Sequence, residues 1–233
     1  MKYEKLYSGE HLKKINPNWT FRKWSYRHTF IAKMRYIEKF LSKVPKTNKI
    51  LDVGCGQGLL VKEFRNKGYD IVGVDAFYEN DFVEKQDIFD NNYEDDTFDL
   101  ILCLDVIEHF SFDKQELLVK ELTRIVKPSG KIVWSIPNMA HLSSRITFLL
   151  LGKLLRTAKI EYHPGDRPIS EYYTIIASNS KIVKKKGLSA TIPLLFQITQ
   201  LLPQFTSWLY FLLRPFNIFA NWCFNVIVIS EKK

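Results

Sequence analysis

The sequence contains a glycine-rich turn, Gly54 to Gly58, that limits the folds open to this chain. The turn directly follows a short, mostly apolar run (50–53). Glycine adopts backbone conformations that are closed to other residues and lets the backbone approach a ligand closely. The run before the turn is typical of a buried strand, and residues 59–67 are typical of a helix that Gly68 ends. This order predicts a βα unit whose helix N-terminus attracts an anion.

Apolar runs and helical segments alternate from residue 49 to about residue 136, which is typical of a parallel sheet covered by helices. Asp113 followed by Glu116 has the spacing of a helix N-cap with its capping box, and Phe112 and Leu117 around it predict a hydrophobic staple. Residues 128–130 then end this helix. The apolar pattern predicts strands at 50–53, 71–74, 82–87, 98–104, 131–136 and 225–230.

Length and composition predict one domain. A chain of 233 residues, of which 46% are hydrophobic and 25% charged, buries a single large core. Its three cysteines lie far apart, which disfavours a disulfide framework or a structural metal, and we see no secretory signal, so we expect a cytoplasmic protein. We divide the domain into a helical cap (1–45), a cofactor-binding core (46–138), acceptor-side helices with an apolar insertion (139–220) and a last strand (221–233).

The formal net charge of +9 has three possible explanations. It could attract nucleic acid, it could attract an anionic membrane surface or substrate, or it could serve general solubility alone. The basic residues are scattered, and only residues 184–186 form a run of lysines. No concentrated basic stripe is visible, so we expect no nucleic-acid partner.

Two carboxylates follow the second and third predicted strands. Asp75 lies 23 residues after Asp52, at a strand end where a carboxylate accepts hydrogen bonds from ribose hydroxyls. Asp87 ends the third predicted strand, where it would accept from an adenine amino group while Ile88 packs on the ring. Together they predict a nucleoside lying across the strand ends. A dinucleotide is disfavoured because Leu59 stands where its third glycine belongs, and no P-loop lysine follows the turn.

Five segments, in this order, resemble the class I S-adenosylmethionine-dependent methyltransferases, in particular the group of ubiquinone-biosynthesis O-methyltransferase-like and type 11 and type 23 methyltransferases. They are ILDVGCGQG (50–58), IVGVD (71–75), QD (86–87), FDLILCLDVIEH (98–109) and LTRIVKPSGKIVWSIPN (122–138). The resemblance implies S-adenosyl-L-methionine as the cofactor. It also implies a Rossmann-like, doubly wound α/β fold, with a seven-stranded, mostly parallel sheet, an antiparallel last strand and a site at the topological switch point.

The same resemblance implies which residues bind the cofactor. A basic residue before the first strand would pair the carboxylate, and the glycine-rich turn would hold the rest of the methionine part. The implied residues are Arg35 for the carboxylate, Asp52, Gly54, Cys55, Gly56 and Gly58 for the methionine part, Asp75 and Ala76 for the ribose, Asp87 and Ile88 for the adenine, and Leu104 and Asp105 for the inner wall.

Methyl transfer to a hydroxyl needs a group that removes the hydroxyl proton. His109, preceded by Glu108 near the end of the fourth strand, is the predicted base, although the pair has the alternative role of ordering a loop. His141 and His163 are further candidates for contact with the acceptor. The pattern around Glu108 is similar to that of ubiquinone-pathway O-methyltransferases and of small-RNA 2′-O-methyltransferases, in which the corresponding residues hold a divalent ion. Asp105 replaces a longer glutamate here, so we expect no metal.

The segment 188–230 carries a single charge, Arg214, and is rich in Leu, Phe and Trp. Residues 192–213 reach the length of about 20 residues that a membrane span needs, but Pro193 and Pro203 interrupt them. Three alternatives remain: a span, a surface at 188–220 in peripheral contact with a membrane, and a buried core or dimer interface, which we favour. We expect a monomer or a homodimer.

These features predict an enzyme that transfers a methyl group from S-adenosylmethionine to an oxygen of a small or lipid-linked acceptor, either a quinone-type phenol or a glycan sugar. The uncharged, aromatic segment 188–230 favours an apolar acceptor. One alternative is an RNA 2′-O-methyltransferase, for which the chain lacks an appended RNA-binding module. The other is a non-catalytic subunit that retains the fold as a binding scaffold, which the complete glycine-rich turn with Asp75 disfavours.

Overall fold

A computed structural model describes residues 9, 12–13, 16–156 and 158–233. Positions 1–8, 10–11 and 14–15 of the predicted cap (1–45), and residue 157, lie outside the described residues. The strands are β1 Ile50–Val53, β2 Ile71–Asp75, β3 Val83–Lys85, β4 Phe98–Leu104, β5 Val126–Pro137, β6 Ser180–Ala190 and β7 Cys223–Lys232. The helices named here are α1 Arg27–Leu41, α2 Leu59–Arg65, α3 Phe112–Ile125, α4 Leu142–Leu151, α5 Ile169–Asn179, α6 Leu195–Leu201 and α7 Ser207–Leu213.

All seven strands form one sheet in the order β3-β2-β1-β4-β5-β7-β6. Strands β1 to β5 pair in parallel, whereas β7 runs antiparallel between β5 and β6. This confirms the predicted Rossmann-like fold with an antiparallel last strand. The strand order reverses between β1 and β4, and ligands of open α/β sheets bind outside the carboxyl ends of the strands at such a switch point.

Each face of the sheet carries its own apolar core. On one face, α3 and α5 pack on the sheet around Trp134 and Tyr172, which are fully buried. On the other face, α1 contributes a stripe that includes Ile37 and Leu41, and α2 contributes Phe64. Because β1 and β4 are covered on both sides, they read as continuous apolar runs, which is why the sequence predicted them closely.

Several predicted boundaries were wrong. Strand β6 was missed because its first half is rich in lysine; it lies at the edge of the sheet, where charged residues are tolerated. Strand β5 begins at Val126, which pairs with Phe98, so residues 128–130 belong to the strand segment instead of separating it from the helix. Strand β3 ends at Lys85, which leaves Asp87 in the following loop.

The start of α3 was also predicted wrongly. Its N-cap is Ser111, and Asp113 lies within the first turn. The predicted staple does not form, because Phe112 and Leu117 are both exposed. The guanidinium of Arg167 instead lies 4.1 Å from the centre of the Phe112 ring. The buried stripe at Leu118, Leu122 and Ile125 is as expected.

The apolar segment 192–213 is divided into α6 and α7, with Pro203 between them. Among the described residues, we find no helix with the length and apolar character that crossing a membrane requires. The prediction of a buried core is only partly met, since Phe196, Leu209 and Leu213 are buried whereas many of their apolar neighbours are exposed.

Candidate active site

The glycine-rich turn lies at the carboxyl end of β1 and has a backbone that only glycine adopts easily. Gly54, Gly56 and Gly58 all have positive φ, at 63°, 56° and 73°. A Cβ on Gly54 or Gly58 would come within 2.6 Å of a valine side chain, whereas no described atom lies within 4 Å of the place a Cβ of Gly56 would take. The turn is therefore packed against the protein at its two ends and accessible to a ligand at Gly56.

Asp75, at the carboxyl end of β2, is linked directly to this turn. The Gly56 amide donates a hydrogen bond to Asp75 Oδ2 over 2.9 Å, and the Phe77 amide donates to Oδ1 over 2.9 Å. An ionised carboxylate offers about four acceptor positions, so two hydroxyls of a ribose can still be bound. Ala76 is exposed beside Asp75.

The backbone amides of the turn are largely engaged within the protein. The Gly54 and Cys55 amides both donate to the carbonyl of Val74, and the Gly58 amide donates to the carbonyl of Cys55. The Gly56 amide is engaged as well, by its bond to Asp75. These four amides are therefore not free to bind the cofactor carboxylate in this conformation, which favours a cationic side chain for that role.

Asp52 is a buried carboxyl group directly before the turn. Burial raises the pKa of Asp52 to about 7; the neighbouring charge of Asp75 also raises it, and that of Lys33 opposes the shift. A buried carboxyl with a pKa near neutrality gains stability as a carboxylate when a cation approaches it. Asp52 is therefore suited to receive an ammonium group.

Asp105 follows β4 in a left-handed conformation, with φ of 55°, and connects four parts of the chain. Its carboxylate accepts hydrogen bonds from Lys33 Nζ, from Tyr26 Oη over 2.7 Å, and from Ser135 Oγ and Asn225 Nδ2. Although burial opposes it, the charge of Lys33 with these hydrogen bonds lowers the pKa of Asp105. Asp105 is thus a charged structural centre and not a free wall of the site.

The basic residue near the turn is Lys33 and not Arg35. Arg35 is exposed, so the geometry gives its predicted pairing with the cofactor carboxylate no support, whereas Lys33 is buried beside Asp105. The signal was present in the sequence: Lys33 lies three residues after Phe30 and four before Ile37, on the buried stripe of α1, and Arg35 does not. Sequence reasoning also missed Tyr26, Ser135 and Asn225, which donate hydrogen bonds to Asp105.

The remaining predicted cofactor residues fall into two groups. Ile88 is buried, and Leu104 is half-buried at the end of β4. Their contact with the adenosyl group stays a prediction. Asp87 is exposed in the loop after β3, where it accepts a hydrogen bond from the Phe89 amide. Cys55 Sγ faces Gly73, and burial raises the pKa of its thiol, so this side chain is an apolar spacer.

His109 and His163 come together after β4. Their ring centres lie 4.7 Å apart at right angles, and Glu108 is buried beside them. The distance from His109 Nδ1 to the carbonyl oxygen of Tyr162 is 2.7 Å. Since a carbonyl only accepts, Nδ1 carries the hydrogen and Nε2 of the neutral ring has a free lone pair. His109 is also exposed, so it can accept a proton from a bound acceptor.

Burial shifts the pKa values of the two neighbours of His109 towards their uncharged forms. Burial raises the pKa of Glu108 well above its usual value, reinforced by the negative charge of Asp105. Burial lowers the pKa of His163 to about 4, and the nearby His109 contributes in the same direction. Both shifts favour the uncharged forms of the two side chains that face His109.

Gly165 makes this arrangement possible. Its amide donates to the carbonyl of Glu108, and its own carbonyl accepts from Gln115 Nε2 over 2.8 Å and from Tyr172 Oη over 2.9 Å. A Cβ at Gly165 would lie only 2.0 Å from the carbonyl oxygen of Phe110. The loop that carries His163 can approach His109 this closely only because residue 165 has no side chain.

Glu108, His109 and His163 also form a group of potential metal ligands, with ligand atoms that lie within 4.8 Å of one another. Glu108 Oε2 is buried without a hydrogen-bond partner, which leaves it available as a ligand. Asp105, the other acidic residue of the predicted pattern, is engaged by four donors and is not available. The absence of a functional metal ion stays a prediction, because the three potential ligands lie close enough together to hold one.

His141 has a structural position that differs from its predicted role. It is buried at the N-cap of α4, where its Nδ1 accepts a hydrogen bond from the Ser144 amide and lies 3.1 Å from Thr191 Oγ1. Burial lowers the pKa of His141 to about 4. Its ring is occupied in holding α4 to the segment after β6, so we no longer place it among the acceptor-binding groups.

Comparison with known families shows which family the chain belongs to. A family model described as a methyltransferase domain matches residues 24–167, which is more than half of the chain and includes α1, the glycine-rich turn and the His163 loop. The chain belongs to this methyltransferase family. The methyltransferase uses S-adenosylmethionine as its cofactor, as the resemblance implied.

Curated relatives of this methyltransferase include ubiquinone biosynthesis O-methyltransferases. That of Rickettsia felis is 30% identical over 202 residues, which cover 77% of this chain and 82% of the relative. That of Rickettsia prowazekii is 28% identical over 203 residues, covering 77% of this chain and 79% of the relative.

Solved structures agree with the fold. A protein of Pyrococcus horikoshii OT3 superposes with a TM-score of 0.60 at 16% identity, covering 96% of this methyltransferase and 99% of that chain. The magnesium protoporphyrin IX methyltransferase of Synechocystis PCC 6803, solved with bound SAH, has a TM-score of 0.59 at 13% identity, covering 90% and 86%. At these identities the likeness establishes the fold alone.

Proposed function

We propose that this methyltransferase methylates a hydroxyl group of a small, quinone-type phenol. The observation that carries the proposal is the protonation geometry of His109, whose Nδ1 donates to the carbonyl of Tyr162 and whose Nε2 can therefore accept the hydroxyl proton. The curated relatives, which are named ubiquinone biosynthesis O-methyltransferases, support a phenol of this type. A glycan sugar presents the same chemistry and remains the second acceptor to test.

The cofactor residues divide the binding of S-adenosylmethionine between them. Asp75 takes the ribose hydroxyls, Asp52 receives the ammonium group, and Lys33 replaces Arg35 as the cation that faces the carboxylate. Ile88 and Leu104 cover the adenosyl group. When bound, the cofactor supplies a methyl group that its sulfonium has already activated, so the protein has mainly to align the acceptor and exclude water.

His109 then performs the one proton transfer that a phenol requires. Its Nε2 would accept the hydroxyl proton as the oxygen–methyl bond forms and the sulfonium–methyl bond breaks, which would release S-adenosylhomocysteine. The resulting imidazolium would keep its Nδ1 bond to the carbonyl of Tyr162. Should the same group hold a divalent ion, Glu108, His109 and His163 are its ligands, and the ion would lower the pKa of the phenol.

The proposal predicts methyl transfer from radiolabelled S-adenosylmethionine to a prenylated catechol. We expect a methyl ether as product, and no transfer to a matched compound in which the reactive hydroxyl is replaced by hydrogen. Transfer to the corresponding aniline but not to the catechol would contradict O-methylation. Transfer only to a sugar hydroxyl or only to RNA would still show a methyltransferase, but one whose acceptor belongs to another chemical class.

A further inference from the structure

Two segments of the chain expose an unusual amount of apolar surface. At the end of α4, residue Leu149 is 82% exposed, and in the α6–α7 region Leu201 is 78% and Trp208 is 63% exposed. Monomeric proteins rarely expose large contiguous apolar patches, and those that they do expose mark sites of interaction. We call this the apolar edge surface; its exposed members are Phe148, Leu149, Leu150, Leu151, Leu154, Ile160, Leu194, Leu195, Ile198, Leu201, Leu202, Phe205, Trp208, Phe211, Leu212, Phe216, Ile218 and Phe219.

Both segments leave the sheet at the same edge as the active site. Helix α4 follows β5 and helix α6 follows β6, and both strands run antiparallel to β7. Their carboxyl ends therefore lie on the edge of the sheet that carries the glycine-rich turn. The two segments also touch: Ser143 Oγ donates to the Thr191 carbonyl over 2.7 Å, and the rings of His141 and Phe196 lie 5.6 Å apart.

The α6–α7 segment is fastened to α1, near the active site. Arg27 Nη1 lies 3.0 Å from the carbonyl oxygen of Pro203, between the two helices, and His28 Nε2 lies 2.8 Å from the same oxygen. The His28 ring also stacks on Tyr210 at 5.2 Å. The segment is thus anchored by its inner side chains while its outer apolar side chains stay exposed.

The charges in the segments that carry the apolar edge surface are mostly positive. Residues 139–161 and 188–230 contain five exposed basic residues and one exposed acidic residue, Glu161; the five are Arg145, Lys153, Arg156, Lys159 and Arg214. A second copy of the chain seated symmetrically on this surface would bring like charges together. An anionic lipid surface complements both the cations and the apolar side chains.

We propose that the apolar edge surface docks the enzyme onto a bilayer that contains anionic phospholipid. The leucines and Trp208 enter the headgroup boundary, and the five cations pair with lipid phosphates. Docking at this edge turns the carboxyl ends of the strands, and with them His109, towards the lipid. The proposal does not depend on which acceptor the enzyme methylates.

Flotation of the full-length protein with vesicles tests the docking. We expect binding to phosphatidylcholine vesicles that contain phosphatidylglycerol, weakened by salt. The combined variant Leu149→Ser, Leu201→Ser and Trp208→Ser should lose at least about tenfold in affinity, because exposed apolar side chains leave water on binding. The combined variant Lys153→Gln and Arg156→Gln should lose about fivefold for each cation removed, and only with the anionic vesicles.

The matched controls are Leu117 and Lys120 on α3. Both are exposed, and neither belongs to the segments that form the apolar edge surface. Leu117→Ser and Lys120→Gln should bind vesicles like the wild type. Unchanged S-adenosylmethionine affinity in every variant shows that each has folded. Failure of the wild type to float with anionic vesicles, or flotation that the triple variant retains, would overturn the docking. The docking proposal would also be overturned if the same leucines were required for a dimer and that dimer did not bind vesicles. That result would leave the proposed methyl transfer untouched.

Discussion

The variant His109→Ala should lose turnover by about a hundredfold to ten-thousandfold, the range that a positioned general base contributes, while its affinity for S-adenosylmethionine stays unchanged. The reason is that Nε2 of His109 is the lone pair that takes the hydroxyl proton, whereas the cofactor is held by residues at the ends of β1 and β2. The measurement is the single-turnover rate of methyl transfer, with cofactor affinity determined separately by calorimetry.

A second variant separates the base from a structural role. His109→Asn keeps an N–H donor for the carbonyl of Tyr162 but has no group that accepts a proton at neutral pH. We expect it to be as slow as His109→Ala. Recovery of turnover in the asparagine variant would assign His109 to ordering the loop. We also expect the wild-type rate to survive EDTA; a loss that added zinc or magnesium restores would make His109 a metal ligand.

The second large effect concerns Lys33. The variant Lys33→Met should reduce the free energy of unfolding by about 2 kcal/mol, because it leaves the half-buried carboxylate of Asp105 without its cation. Lys33 also faces the carboxylate of the cofactor in our account, so S-adenosylmethionine affinity should fall as well. The measurements are urea denaturation and calorimetry.

The pH dependence of this loss has a definite sign. The folded state lowers the pKa of Asp105, so its contribution to stability is present above the ordinary aspartate pKa of about 3.9 and is lost as the pH falls through the lowered value. The penalty of Lys33→Met should therefore shrink in acid. Arg35→Met is the matched control, since Arg35 is exposed on the same helix and its replacement should change stability by about 0.5 kcal/mol or less. Equal losses in both variants would refute the assignment.

Local sequence patterns were sufficient for the centre of this fold. Strands β1 and β4 and the turn between Gly54 and Gly58 were predicted correctly. Their signals, short apolar runs and glycines, depend only on residues that are close together in the sequence. Strand β6 was missed for the opposite reason: it lies at the edge of the sheet, where lysines face solvent and no apolar run is required.

The active site was harder to predict where its contacts join distant parts of the chain. Asp105 is held by Tyr26, which is 79 residues away, and by Asn225, which is 120 residues away. No spacing rule within the sequence brings such groups together. His163 meets His109 because Gly165 packs against the carbonyl of Phe110, a close approach that becomes visible only in three dimensions.

Lys33 was missed for a different reason. The cation was sought at a spacing transferred from related enzymes, which led to Arg35, although the helical stripe of Phe30, Met34 and Ile37 already placed Lys33 on the buried face. The position of a side chain on its own helix was the better guide to what it contacts.

A crystal structure with S-adenosylhomocysteine would test the cofactor site most directly. Our account requires the homocysteine part beside Gly56, both ribose hydroxyls within about 3 Å of the Asp75 carboxylate, and the ammonium group against Asp52. A ligand bound elsewhere, with Asp75 still occupied only by the amides of Gly56 and Phe77, would contradict it.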